Sequence, residues 1–370
     1  MEIPEIHVCV ISDANYHVPT TVALTSLRAN LSPGVRCCVH YVCTSDGDWQ
    51  REVVKRLETP DFRVCLIDAK LGRYAELREQ THVAVSALVK FDLPTLLPEL
   101  DRVLYLDGDI LVTGDVSALY ELALGENYMA AVRDMGGEVT RRLHELVGVR
   151  RYYNSGVMLL NLAQMRRDAL PEKLLQSKLA SPPTWTCMDQ DVINDVMRGR
   201  VVDMPLRYNA MVPLFQNAMY GYSIRQINDF YGCSYADMGH LMADAVVIHF
   251  AGESYRRPWA QVNGSFSLLW QRYYLQSPFA SVDPGLSLLH WPFRPMGVME
   301  SEVKPVPAKR IYRLFGCIPL LTVQDEARTR RYRMLGCLPL LVVRKRQNAW
   351  KWCLFGFVPL LTVKFKSARA

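Results

Sequence analysis

Short β-rich apolar runs alternate with helical patterns along this chain, and that alternation constrains the fold more than any other feature. His7-Val8-Cys9-Val10-Ile11 is the first run, followed by a helical pattern over 20–27. A second strand over 35–42, a helix near 48–57 and a third strand over 63–67 come next. Strands joined through helices lie parallel with right-handed crossovers, so the pattern predicts βαβ units and a largely parallel sheet with flanking helices. Further strands are expected at 102–106, 127–132, 157–161 and 245–250. Residues 84–98 read as a helix disturbed by Pro94, and 189–198 as an amphipathic helix with Val192, Ile193 and Val196 on one side.

With 370 residues, half of them hydrophobic, the chain has material for one large α/β domain or two smaller ones. Ten cysteines are scattered, with Cys37-Cys38 the only close pair and no C-x-x-C spacing. That spacing favours free, mostly buried thiols in a reducing cytosol over a zinc or disulfide framework. Met1-Glu2-Ile3-Pro4-Glu5 lacks a basic stretch followed by an apolar one, and no run of 18 apolar residues exists. Neither a signal peptide nor a transmembrane helix is therefore expected.

Asp107-Gly108-Asp109 directly follows the apolar run Val103-Leu104-Tyr105-Leu106. Two carboxylates at a strand's carboxyl end stand where open α/β sheets bind ligands, and hard oxygen donors suit Mg²⁺ or Mn²⁺. Gly108 between them would let a phosphate approach the backbone. A simple Asp-Gly turn is the plainer reading.

Other constellations fall at strand ends. Asp13, Asn15 and Tyr16 follow the first strand and either shape a helix start or offer a nucleotide a carboxylate and a stacking ring. His249-Phe250-Ala251-Gly252 is followed by Arg256-Arg257-Pro258-Trp259; the histidine could complete a metal site and the arginines meet diphosphate oxygens, or His249 could simply pack. Tyr153-Asn154-Ser155-Gly156 and Asp189-Gln190-Asp191 supply the amides and carboxylates a sugar pocket needs, although the second could merely cap a helix.

Beyond residue 280 the character changes. Prolines at 284, 292, 295, 305 and 307 mark a linker, and a threefold repeat follows with glycines at 316, 336 and 356, a period of 20. Each unit reads as Leu314-Phe315-Gly316-Cys317-Ile318-Pro319-Leu320-Leu321 does, with basic and aromatic flanks, and predicts a small hairpin. Residues 301–370 hold 15 Lys/Arg and three acids, leaving 28 bases and 34 acids in residues 1–300. The repeats either stack as ordinary hairpins burying a core between them or, as the charge excess favours, lie on an anionic bilayer surface with Trp and Tyr at headgroup level. Apolar Pro-Leu-Leu tips fit a phosphate-tracking groove poorly, so no nucleic-acid partner is expected.

Taken in order, these motifs resemble glycosyltransferase family eight, retaining enzymes of the GT-A fold that use nucleotide-diphosphate sugars. The resemblance spans roughly residues 6–275 and includes Arg133-Asp134 and the run Val157-Met158-Leu159-Leu160-Asn161-Leu162. It implies a GT-A catalytic domain over 1–280, with a Pro-rich linker over 281–308 and the basic repeats over 309–370. By the resemblance, Asp107, Asp109 and His249 hold Mn²⁺ (or Mg²⁺) on the diphosphate of a UDP-sugar, and Asp13, Asn15 and Tyr16 contact uridine. Asp134, Asn154, Asp189 and Gln190 line the sugar pocket, with Gln190 nearest the reacting carbon. Gly108, Gly252 and Arg257 are expected beside the diphosphate.

Two positions depart from the family pattern. Lys90 stands where an Arg is usual, keeping the charge but losing the bidentate fork. Arg257-Pro258-Trp259 replaces Lys-Pro-Trp and comes two residues later after Gly252. The tail resembles extensions on bacterial lipopolysaccharide glycosyltransferases. The expected activity is transfer of glucose or galactose to lipopolysaccharide core or a similar membrane-borne saccharide. The expected location is cytoplasmic, peripheral on the inner face of the cytoplasmic membrane. Glucan initiation on a soluble acceptor, or a catalytically degenerate membrane-bound carbohydrate-binding protein, are the alternatives.

Overall fold

The computed structural model describes residues 5–45, 48–69, 71–74, 85–136, 151–182, 184–185, 187–215, 222–252, 257–259 and 266–282, and the strands within 309–364. It divides into two compact units, Met1–Gly297 and Val298–Ala370. Almost all of the expected linker, and the three repeat glycines, lie outside the described residues.

In the first unit β1 (Glu5–Ser12), β2 (Arg36–Cys43), β3 (Phe62–Asp68) and β4 (Arg102–Leu106) precede β5 (Ile110–Val112), β6 (Met129–Arg133) and β7 (Tyr153–Asn161). Three short strands follow: β8 (Val201–Asp203), β9 (Ala210–Met211) and β10 (Val247–His249). Seven of them form one sheet in the order β3-β2-β1-β4-β7-β6-β8, and β5-β10-β9 form a second. Pairings β1–β2, β2–β3, β1–β4 and β6–β8 are parallel, whereas β7 runs antiparallel to both β4 and β6. The sheet is thus mostly parallel, as the alternation predicts, with one reversed strand in its middle.

Side chains alternate faces along a strand, and both faces are covered. Val8, Val10, Leu104 and Leu106 enter one core, while Cys9, Ile11, Val103 and Tyr105 enter the other. Helix α1 (His17–Asn30) belongs to the first core through Val22, Leu24 and Leu27. Helix α2 (Asp48–Lys55) follows β2.

Three details differ from the sequence-based expectation. Residues 84–98 are not one α-helix: Val85–Asp92 is 3₁₀ and Leu93–Leu96 is a separate α-turn. Pro94 lacks the N–H that would bond residue 90 and so sits in the first turn of the new element. The strand expected at 157–161 begins at Tyr153, so Asn154 and Ser155 are strand residues. The terminal strand shortens from 245–250 to Val247–His249.

The second unit is a six-stranded antiparallel meander: β11 (Lys309–Leu314), β12 (Ile318–Glu326), β13 (Thr329–Met334), β14 (Leu338–Arg346), β15 (Ala349–Leu354) and β16 (Val358–Lys364). Its register shifts once per repeat, between Tyr312 and Arg313, Tyr332 and Arg333, and Trp352 and Cys353. Arg313, Arg333 and Cys353 pair with Pro319, Pro339 and Pro359, so the irregularity recurs beside the proline that cannot donate to the ladder. Among the described residues, no helix is long and apolar enough to cross a membrane.

Candidate active site

Because Leu104 and Leu106 are buried in one core and Val103 and Tyr105 in the other, β4 is held on both faces. Each fully buried side chain of this kind contributes roughly 1.5–3 kcal/mol. Asp107 therefore leaves the strand from a rigid base, and its N–H donates to the Gly156 carbonyl of β7 at 2.8 Å.

The two Asp107 oxygens face different neighbours. Oδ1 accepts from the Tyr105 hydroxyl at 2.6 Å and lies 3.1 Å from Lys90 Nζ. Oδ2 lies 4.0 Å from His249 Nε2, and Asp109 Oδ1 is 3.5 Å from the same nitrogen. One ligand atom from each of Asp107, Asp109 and His249 lies within 4.8 Å of the others. The strand-end aspartates and a histidine from residue 249 therefore converge.

The imidazole is oriented for such a role. His249 Nδ1 sits 3.0 Å from Asn209 Oδ1, an atom that can only accept, so the hydrogen-bond pattern assigns the proton to Nδ1 and a lone pair to Nε2. Asn209 in turn donates to Asn154 Oδ1 at 2.9 Å, which fixes its own amide. Gly156 is required by this packing: a Cβ there would lie 2.2 Å from His249 Cε1 and 2.8 Å from Asp107 Oδ2. Gly108 is constrained by packing as well. Its Cβ would meet Thr20 Oγ1 at 2.3 Å, so α1 leaves no room for a side chain.

Arg257 closes one side of the cluster. It contacts the Asp109 carboxylate, donates to the Tyr16 hydroxyl at 2.5 Å, and donates to the Gly252 carbonyl at 3.2 Å. Its guanidinium lies 5.7 Å from both the Tyr16 and Trp259 rings. Gly252 has φ +96°, a conformation that favours glycine. Burial would raise the Asp109 carboxyl, but the Arg257 guanidinium beside it outweighs burial and holds that group well below the usual carboxylate range.

Behind the acidic cluster lies a buried polar network. Lys90 Nζ reaches Asp189 Oδ2 at 2.7 Å and the Ser155 carbonyl at 3.3 Å, besides Asp107. Burial opposes its charge, yet Asp107 and Asp189 together push its pKa above the ordinary lysine value. Asp189 also accepts from the Ser155 hydroxyl at 2.9 Å. Gln190 Oε1 accepts from Ser155 N–H and Asn154 Nδ2, both at 3.1 Å, and Gln190 Nε2 donates to Asp134 Oδ2 at 3.2 Å. Ser155 N–H can only donate, which settles the orientation of that amide. Asp134, Asn154, Asp189 and Gln190 are therefore one connected group, set beside the acidic cluster through Lys90, Asn154 and Gly156.

Not every expected residue joins. Asp13 Oδ1 accepts the Asn15 N–H at 2.9 Å, a turn that shapes the start of α1, and Ser86 donates to its other oxygen at 3.3 Å. No described hydrogen bond ties Asp13 or Asn15 to the acidic cluster; Tyr16 reaches it through Arg257. Asp191, fully buried, accepts from Cys187 N–H at 2.8 Å and from the Tyr152 hydroxyl, so it secures the start of helix Met188–Val196. Arg256 lies outside the described residues. Asn209 and Tyr105 went unassigned from sequence. Tyr105, two residues before Asp107 on the same strand face, carried a spacing signal, and Asn209 carried none.

The profile of the family described as "Glycosyl transferase family 8" matches residues 7–263. The chain belongs to glycosyl transferase family 8. Over 256 residues it is 30% identical to the family relative named lipopolysaccharide 1,2-glucosyltransferase of Escherichia coli (strain K12), covering 67% of this chain and 70% of that protein. General stress protein A of Bacillus subtilis (strain 168) is 24% identical over 212 residues, 55% of this chain and 73% of that one. The galactosyltransferase LgtC, solved with donor and acceptor sugar analogs, superposes with a TM-score of 0.63 at 21% identity, across 74% of this chain and 96% of that chain. The shared fold is of the GT-A type, in a glycosyltransferase with Asp107, Asp109 and His249 as its candidate metal site.

Proposed function

We propose that this glycosyltransferase moves a hexose, glucose or galactose, from a UDP-sugar to a lipopolysaccharide core or similar membrane-borne saccharide, with retention at the anomeric carbon. The observation that carries this reading is the adjacency of two groups. The acidic cluster offers two carboxylates and one imidazole to a cation, and the network Asp134–Asn154–Gln190 offers paired donors and acceptors to hydroxyls. Similarity to the Escherichia coli lipopolysaccharide 1,2-glucosyltransferase supports the acceptor class.

The donor set fits a divalent cation. Asp107 Oδ2, an Asp109 oxygen and His249 Nε2 are all acceptor-type ligands, and the mixed oxygen–nitrogen set suits Mn²⁺ better than the oxygen-demanding Mg²⁺. Such an ion supplies Lewis-acid stabilisation of the diphosphate leaving group. In this reading Tyr16 offers its ring to the base, and Arg257 turns from Asp109 toward the phosphates. Lys90 holds Asp107 and Asp189 in place. Gln190 and Asp134 face the sugar, where polar oxygens stabilise a transition state of oxocarbenium character. Asp189, buried beneath Lys90 and Ser155, acts as a positioning residue. Acceptor deprotonation is assigned to the departing phosphate in a front-face transfer, since no carboxylate here is left unengaged as a nucleophile among the described residues.

The location proposed is the inner face of the cytoplasmic membrane, with the basic tail holding the enzyme near a lipid-borne acceptor and raising encounter frequency. Deleting 301–370 is expected to release the protein from anionic vesicles and leave UDP-sugar hydrolysis intact; unchanged vesicle binding removes this role. The deciding assay offers UDP-glucose and UDP-galactose with Mn²⁺ to truncated core acceptors. Transfer to none of them, with sugar attached instead to the protein itself or a soluble glucan, would overturn the acceptor assignment.

A further inference from the structure

A second cluster of metal-ligating side chains lies on the opposite half of the sheet. His7 is on β1, Cys38 and His40 are on β2, and Cys65 is on β3. The ladders pair His7 with Cys38, and Cys9 and Cys65 with His40. Paired residues and residues two apart share a sheet face, so all four side chains project from one face of three adjacent strands.

Two of their separations match edges of a tetrahedral shell. His7 Nδ1 and His40 Nε2 are 3.2 Å apart, and Cys38 Sγ and Cys65 Sγ are 3.6 Å apart. Ligand atoms of His7, Cys38 and His40 all lie within 4.8 Å of one another. Around zinc, bonds of about 2.0–2.1 Å to nitrogen and about 2.3 Å to sulfur give tetrahedral edges of roughly 3.3 Å between nitrogens and roughly 3.8 Å between sulfurs. The observed nitrogen and sulfur pairs stand close to those edges. The other nitrogen of His7, Nε2, faces Glu5 Oε2 at 3.9 Å, on the side where a carboxylate orients a ligating imidazole. Nearby Arg63 is neutralised by Glu5 at 3.0 Å, so no unpaired cation from that pair repels a metal.

We propose that His7, Cys38 and His40 form a metal site separate from the transferase site, taking a thiophilic divalent cation of the zinc type, with Cys65, whose Sγ lies 3.6 Å from that of Cys38, turning in as the fourth ligand. Two imidazoles and two thiolates select a softer ion than the carboxylate-rich cluster at Asp107. His7 precedes Asp13 by six residues, roughly 20 Å along an extended strand, so the bound ion does not reach the sugar donor. Its role is structural. β3 is the edge of the sheet, and an ion shared by three strands ties that edge to β1 through β2. The Cys-x-His spacing on β2 is what makes this possible: residues two apart on a strand point the same way, whereas C-x-x-C spacing suits a turn.

Cobalt(II) tests the site in the full chain purified under reducing conditions. Thiolate ligation to cobalt gives a near-ultraviolet charge-transfer band, which a site of two carboxylates and one imidazole cannot produce. One equivalent of cobalt is expected to generate that band and one equivalent of zinc to abolish it. Cys38→Ser should eliminate the band, and His7→Gln should weaken cobalt binding by about tenfold or more, with far-ultraviolet circular dichroism confirming that both variants fold. Asp109→Asn should leave the band intact. The proposal is overturned if no band forms, if Cys38→Ser and His7→Gln bind cobalt as the parent does, or if Cys38 and Cys65 are recovered as a disulfide.

Discussion

Lys90 Nζ lies 2.7 Å from Asp189 Oδ2, and both side chains are almost fully withdrawn from solvent. The same ammonium is 3.1 Å from Asp107, so one buried cation compensates a carboxylate of the acidic cluster and one of the polar network behind it. Removing one partner of a buried pair leaves a charge without compensation and costs about 3–5 kcal/mol. Lys90→Met is therefore expected to lower unfolding free energy by about 3 kcal/mol, measured by urea denaturation. Lys90→Met with Asp189→Leu should recover part of that loss while remaining inactive. A single variant as stable as the parent would contradict the compensation.

Gly156 carries a prediction that removes no ligand. Its missing side chain makes room for His249 Cε1 at 2.2 Å, so Gly156→Ala must displace the imidazole or the strand. Misplacement of about 1 Å can cost about 100-fold. The concentration of Mn²⁺ giving half-maximal turnover should rise by about that factor; an unchanged metal titration would show that His249 is not a ligand.

Asn209 holds His249 from behind. Losing the partner of a ligating imidazole typically costs about 10–100-fold in metal affinity. Asn209→Leu is expected to weaken Mn²⁺ binding within that range with the fold intact, read by calorimetric titration with UDP present. Asp109→Asn, which removes a ligand itself, should abolish metal-dependent turnover; near-parental rates would remove the metal assignment.

Acid stability has a separate origin. Hydrogen bonding from the Tyr128 hydroxyl at 2.7 Å and Gln164 at 2.9 Å, with Arg200 at 2.9 Å, holds the Asp168 carboxyl down to about 2. A carboxyl depressed in the folded state binds fewer protons there than in the unfolded chain. Its contribution is thus present above an unfolded value of about 3.9 and is lost as pH falls through the folded one. Asp168→Asn should flatten the pH dependence of stability between about 4 and 2; an unaltered slope would assign acid sensitivity elsewhere.

Much of the architecture was readable in the chain, because period-two apolar runs separated by helical ones admit few arrangements. What escaped was long-range geometry. Reversal of β7 left no mark on local spacing, yet it brings Asn154 and Gly156 beside Asp107. The bend at Pro94 was visible, but not that a 3₁₀ segment would carry Lys90 inward. Among the site residues, Asp107, Asp109 and His249 were legible because strand-end carboxylates and a strand-end imidazole share one chemistry. Asn209 was not, since nothing in Tyr208-Asn209-Ala210 distinguishes it from any turn. The packing constraint on Gly108 was not visible either: its neighbour, Thr20, lies 88 positions earlier.

The antiparallel join between β4 and β7 bears on how such an enzyme diversifies. Asp107 follows the last residue of one strand and donates its N–H to Gly156 of the other, two residues past Asn154. A substitution on β7 or on helix Met188–Val196 can reshape the polar network while β4 keeps Asp107 of the acidic cluster in place. Polar network and acidic cluster are in this way inherited on separate pieces of backbone, bolted together at Gly156.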